Sequence, residues 1–167
     1  MACLGVLFSI DQTTVELIRQ LPSEEERVDY VKEVIEEDYF KNQPQWIAEL
    51  DKSWDALHRS LTDGQLAWDN GEYPLSHVIF GGEILCANGS YVIVLKTKEQ
   101  VAEIASAVDK VTKRRLRAQY FLLDAEEYDG EVDEEDFEYT WQWFEDSKAF
   151  WQKAAEENRS VLFTVDQ

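Results

Sequence analysis

Short apolar runs alternate with stretches of helical periodicity along this chain, and one such run stands near each end. Leu4 to Ile10, bounded by Asp11, and Ser160 to Val165, rich in β-branched residues, each predict a strand. Tyr91-Val92-Ile93-Val94-Leu95 follows the turn signal Asn88-Gly89 and is the clearest strand between them. Strands separated by amphipathic helices bury their apolar sides only by stacking in layers. The pattern therefore predicts an α/β fold: one domain over residues 1–167, a sandwich of helices packed on a mixed β-sheet. No internal repeat or low-complexity linker interrupts it.

The helices are read from periodicity and stop signals. Asp11 or Thr13 can cap a first helix whose apolar side is Val15, Leu17, Ile18 and Leu21. Ser23 before Glu24, Glu25 and Glu26 offers a capping box for a second, with Val28, Val31, Val34 and Ile35 inward until Asn42-Gln43-Pro44 breaks it. A third helix is expected from Trp46 to Leu61, with Leu50, Trp54, Leu57, His58 and Leu61 on one stripe. Pro74 to Leu85 carries a short helical turn or strand. Thr97 opens a helix with Val101, Ile104, Ala105 and Val108 inward, and a further piece covers Arg114 to Leu123. A long helix from Glu135 to Asn158 places Phe137, Trp141, Phe144, Trp151 and Ala155 on one side.

Charge narrows the range of partners. The chain has 16 Lys or Arg against 35 Asp or Glu, a net −19 over 167 residues, with 44% hydrophobic residues and 13% aromatics. That apolar fraction is too high for a disordered chain. The charge opposes binding to nucleic acid, which requires phosphates to be neutralised, and to an anionic membrane surface. A basic protein is the partner it attracts. The apolar start lacks a basic leader and ends after about ten residues, too short for a signal peptide or a span. Cys3 and Cys86 form no CxxC pair, so neither a zinc site nor a disulfide framework is expected. These features together predict a cytoplasmic protein with reduced thiols, no metal and no cofactor.

Several segments resemble a known family. Asp51-Lys52-Ser53-Trp54-Asp55-Ala56-Leu57-His58-Arg59-Ser60-Leu61-Thr62-Asp63-Gly64 is similar to the D-K-x-W-x-x-L-H-x-x-L-T-G pattern of the YfbM-like proteins, bacterial domain of unknown function 1877. Pro74-Leu75-Ser76 with the Gly81-Gly82 step, and Tyr91 through Ala105, resemble further segments of that family. Lys98 stands where the family often has Pro, and the acidic stretch Glu24 to Asp38 has no clear counterpart. The resemblance implies one compact α/β domain and brings no reaction with it. Relatives found near bacterial toxin genes point it toward immunity or interaction.

Two groups of residues carry the functional candidates. Trp54, His58 and Asp51 or Asp55 can share one helical face, where a carboxylate three residues before His58 could orient its ring as a general base. His77, ahead of Gly81-Gly82, could join this pocket. Without a nucleophile or H-x-x-x-H spacing, packing is the competing role for His58. The second group lies in Asp124 to Glu138, ten acids in fifteen residues without a base. An EF-hand alignment on Gly130 fails, because Ala125 falls at the first ligand position and Asp136 at the bidentate one. The acids can be a solvated loop favoured by a helix dipole. With aromatics they can also form a recognition surface: Asp129, Glu131, Asp133, Glu134, Glu135, Asp136, Tyr139 and Trp143. Lys110, Lys113, Arg114, Arg115 and Arg117, the only basic cluster, are expected to pair with nearby acids. The sequence thus predicts a non-catalytic acidic protein-binding domain, an immunity or adaptor protein occluding a basic toxin or client. The alternative is an enzyme or small-ligand binder with a pocket around Trp54, His58 and His77.

Overall fold

The structure, a computed structural model, describes residues 3–167. Five strands, β1 (Gly5–Ile10), β2 (Ile47–Asp51), β3 (Glu83–Ala87), β4 (Tyr91–Lys96) and β5 (Ser160–Asp166), form one sheet in the order β2-β1-β5-β4-β3. The two outermost apolar runs of the sequence meet at its centre, from Gly5 opposite Val165 to Ile10 opposite Ser160. The α/β class is as the sequence predicts. Within it, every neighbouring pair is antiparallel, where a mixed sheet is expected. Two helices rather than one separate β1 from β2, so the chain returns reversed, and β3 and β4 form a hairpin through Gly89 at φ +91°.

Both faces of the sheet are covered, and the alternation along the strands decides which residue goes where. Phe8, Ile10, Tyr91, Ile93, Leu95 and Leu162 face a cluster with Val15, Ile18, Val31 and Ile35, which belong to α1 (Gln12–Gln20) and α2 (24–42). Leu7, Val92, Val94, Val161, Phe163 and Val165 face the other cluster. That layer comprises α3 (Trp54–Leu61), α4 (Lys98–Asp109), α5 (Lys113–Tyr120) and α6 (Glu134–Glu156). Caps fix the helix starts. Asp11 accepts from the Thr14 N–H at 2.8 Å, Ser23 from Glu26 at 3.1 Å, and Thr97 with Gln100 closes a reciprocal box.

Two helix readings change. Residues 47–51 form strand β2, so the expected third helix begins at Trp54, not Trp46. Leu50 is buried as a strand residue, and Asp51, at φ +50°, ends the strand and turns the chain into α3. Helix α2 contains a π-helical stretch over Val31–Glu36. Its wider turns rotate the register, so Val31 and Ile35 stay buried while Val34 is 46% exposed.

Candidate functional site

The acidic segment runs from the end of α5 into α6, and its carboxylates do different jobs. Asp133 caps α6, accepting from the Asp136 N–H at 2.8 Å. Asp136 accepts from the hydroxyls of Tyr120 at 2.6 Å and Tyr128 at 2.8 Å, closing the loop onto the helix. Glu134 forms a bidentate pair with Arg117, which holds its carboxyl below the usual range, and Glu138 pairs with Lys113 at 2.7 Å. Two members of the basic cluster thus pair with acids, as the sequence predicts. Asp124, Glu126, Glu127, Asp129, Glu131 and Glu135 are exposed and make no ion pair among the described residues.

The surface aromatics predicted beside these acids are only half-buried side chains. Tyr139 donates its hydroxyl to Asp51 and accepts from the Lys52 N–H at 3.0 Å. Burial and that carboxylate push its hydroxyl up to about 12. Trp143 packs edge-on against Tyr139, ring centroids 6.3 Å apart. Sequence reasoning missed the apolar pair next to the acids. Leu122 is 77% exposed and Phe121 is 38% exposed. They sit past the end of α5, where Phe121 lies 6.0 Å from the Phe137 ring and 4.7 Å from the Arg117 guanidinium. Their signal was positional: once Tyr120 is the inward end of α5, the next two residues fall outside its stripe.

The other candidate group is mostly interior. Trp54 is buried, donates its indole N–H to the Cys3 carbonyl at 2.8 Å and packs between Phe80 and Phe163. Gly5 is tied to it, because a β-carbon there would lie 2.9 Å from the indole. Asp55 bonds Arg59 at 2.6 Å instead of orienting His58. Arg59 in turn donates to the Glu127 carbonyl at 3.3 Å, anchoring the acidic loop to α3. Asp51 faces Tyr139, and His77 bonds Ser76 at 2.9 Å with its ring edge-on to Tyr73. None of the described cavities is lined by Trp54, His58 or His77. Among the described residues no three His, Cys, Asp or Glu side chains gather to hold a metal ion.

His58 is 1% exposed and acts as a clamp. The two N–H bonds of the Asn70 amide are shared among Thr62 at 3.1 Å, Asp63 at 2.6 Å and the Gln65 carbonyl at 2.9 Å, so its oxygen faces His58 Nε2 at 2.8 Å. Nε2 therefore carries the proton in the neutral ring. Burial pushes the His58 pKa down, against the pull of Asn70. A depressed folded value means the unfolded chain binds the proton more readily, so this contribution favours folding more as pH rises toward about 6.5. His58→Gln keeps a donor for Asn70 without titrating. The stability of the wild type relative to this variant is expected to fall as pH drops from 7 toward 5, read from urea unfolding midpoints. A pH-independent difference would remove the clamp from the acid response.

Beside the clamp lies a cleft of about 780 Å³ lined by the end of α3, the 71–75 loop, α4 and α5. Ser60, Asp63, Glu72 and Glu103 line it together with Lys110 and Arg115.

A family model for DUF1877, a domain of unknown function, matches residues 1–164. Among solved structures, the fold is similar to the crystal structure of YfbM, a protein of unknown function from Escherichia coli. The TM-score is 0.64 at 17% identity, over 97% of this chain and 99% of that one. A comparison with curated proteins finds no match. No helix among the described residues is long and apolar enough to cross a membrane. With a match running from the first residue to 164, through the α3 motif, the glycine step and the terminal strand, the chain belongs to the DUF1877 family.

Proposed function

We propose that this domain is a non-catalytic binding protein, an immunity or adaptor protein that covers a basic surface on a bacterial toxin or client. The observation that carries the reading is Leu122, 77% exposed beside Phe121 and followed, between Asp124 and Glu135, by six exposed carboxylates that make no ion pair among the described residues. A large apolar side chain in water finds its stabilisation in a partner's pocket, and a surrounding rim of one charge selects and steers that partner. Asp133 and Asp136, held by hydrogen bonds, and Glu134, paired with Arg117, support the surface by fixing the start of α6. Asp129, Glu131 and Glu135 are the contacting ones in this reading, with Tyr139 and Trp143 behind them.

The test starts from a basic protein captured by the tagged domain from lysate and released by salt. Leu122→Ser is expected to weaken its binding by about 2 kcal/mol. Glu131→Lys with Glu135→Lys is expected to slow association and flatten the salt dependence. All three side chains are exposed, so the variants keep the wild-type fold, checked by circular dichroism. Equal affinity and equal salt dependence across the set would exclude this face.

A further inference from the structure

We propose that the cleft between α3, α4 and α5 is a binding site for a small zwitterion of amino-acid or short-peptide type. This is independent of the acidic face. Its volume of about 780 Å³ lies within the range of ligand pockets, roughly 300–1,000 Å³.

The lining has two poles. Lys110, at the end of α4, and Arg115, in the first turn of α5, make no ion pair among the described residues, although acids outnumber bases by 35 to 16. The other elements bring Asp63, just past α3, and Glu72, in the 71–75 loop, while Glu103 on α4 is engaged by the Tyr73 hydroxyl. The hydrogen bonds from Asn70 and the Gln65 N–H hold the Asp63 carboxyl below its usual range, so it stays anionic. Glu72 makes no ion pair among the described residues. An anionic end fits the first pole and an ammonium the second; a ligand carrying one charge meets like charge at the other.

Two further observations point to a ligand. Ser60, a lining residue only 3% exposed, has a buried hydroxyl with no hydrogen-bond partner among the described residues. The wall is also held before anything binds. Asn70 joins three acceptors and the His58 ring, and Gly71, at φ +79°, lies so close to Thr62 that a β-carbon would approach its side chain to 2.5 Å. Such a wall loses little freedom on binding. The motif residues thereby gain a shared role: Leu61 and Thr62 line this cleft, and His58 holds Asn70 beside it.

The experiment follows backbone amide resonances of the intact domain during titration with glycylglycine, glycylglycinamide and N-acetylglycylglycine, with the twenty free amino acids as a second panel. The expected result is saturable shifts at Gly71, Ser106 and Arg115 with the zwitterion, and binding at least about tenfold weaker for either blocked dipeptide. Arg115→Ala is expected to abolish the preference for the free carboxylate, and Glu72→Gln the preference for the free amine. Both residues are exposed, so neither change disturbs the core. The proposal is overturned by the absence of saturable shifts in the cleft up to about 10 mM for every probe. Equal binding of the free and blocked dipeptides overturns it as well.

Discussion

Lys96→Met is expected to lose about 2–5 kcal/mol of unfolding free energy near pH 9, and less near pH 6. Lys96 closes strand β4 on the helix-rich face with its side chain fully buried. Among the described residues it makes no ion pair. Its Nζ donates to the Ile79 carbonyl and to the Gly81 carbonyl at 2.8 Å, with the Phe163 ring 5.9 Å away. A deprotonated amine has two N–H bonds, and two carbonyls receive them. Methionine fills the space but leaves both carbonyls without a donor, at about 1–3 kcal/mol each. The pH term follows from burial, which drives the lysine pKa well down in the folded chain. The unfolded chain keeps that proton up to about pH 10.4, so wild-type stability rises with pH over the interval below it. Methionine removes the rise, and the gap between the two proteins widens from acid to alkaline pH. Urea unfolding at the two pH values measures it; a constant gap would mean that the folded chain retains the ammonium.

Trp54→Ala is expected to destabilise the domain by about 3–5 kcal/mol. For a chain of this size that lowers the thermal midpoint by roughly 10 °C. The indole joins three parts of the molecule at once: Cys3 ahead of β1, Phe80 after the 75–77 turn, and Phe163 on β5. Its loss opens a cavity at that junction and orphans the Cys3 carbonyl. Trp54→Phe retains most of the packing and loses the hydrogen bond, so it is expected to recover more than half of the effect in a thermal melt. A melt of Trp54→Ala unchanged from wild type would show that the junction does not depend on the indole.

The layer arrangement was legible wherever a segment's own periodicity matched its environment. Tyr91 to Leu95, the helix opening at Thr97 and the buried stripe of Phe137, Phe144 and Trp151 all match the sequence reading. Reading failed where two signals overlapped. Ile47 to Asp51 fits a helical stripe because Leu50 and Trp54 lie four apart. Pairing with β1 outweighed that pattern and made the segment a strand. Val34 was misplaced because a π-helical stretch leaves no mark in periodicity.

The sites show the same division. The helix cap by Asp133 is a local matter and can be anticipated from the sequence around it. The choice of Asp55 for Arg59 instead of His58, and the bond from Asn70 to His58, depend on how a loop folds back over α3. The two poles of the cleft come from residues 38 to 52 positions apart in sequence, Asp63 and Glu72 against Lys110 and Arg115. No short spacing records them.

Strand β5 sits between β1 and β4, with a six-residue register on each side. During synthesis it emerges after every other strand. Until then β2-β1 and β4-β3 are separate pairs, each with an open edge and an uncovered apolar face. Sheet closure must therefore await the most sequence-distant contacts in the molecule, which places this domain among slow folders for its size. Nascent chains halted before Ser160 are correspondingly the species most exposed to aggregation and most in need of a chaperone.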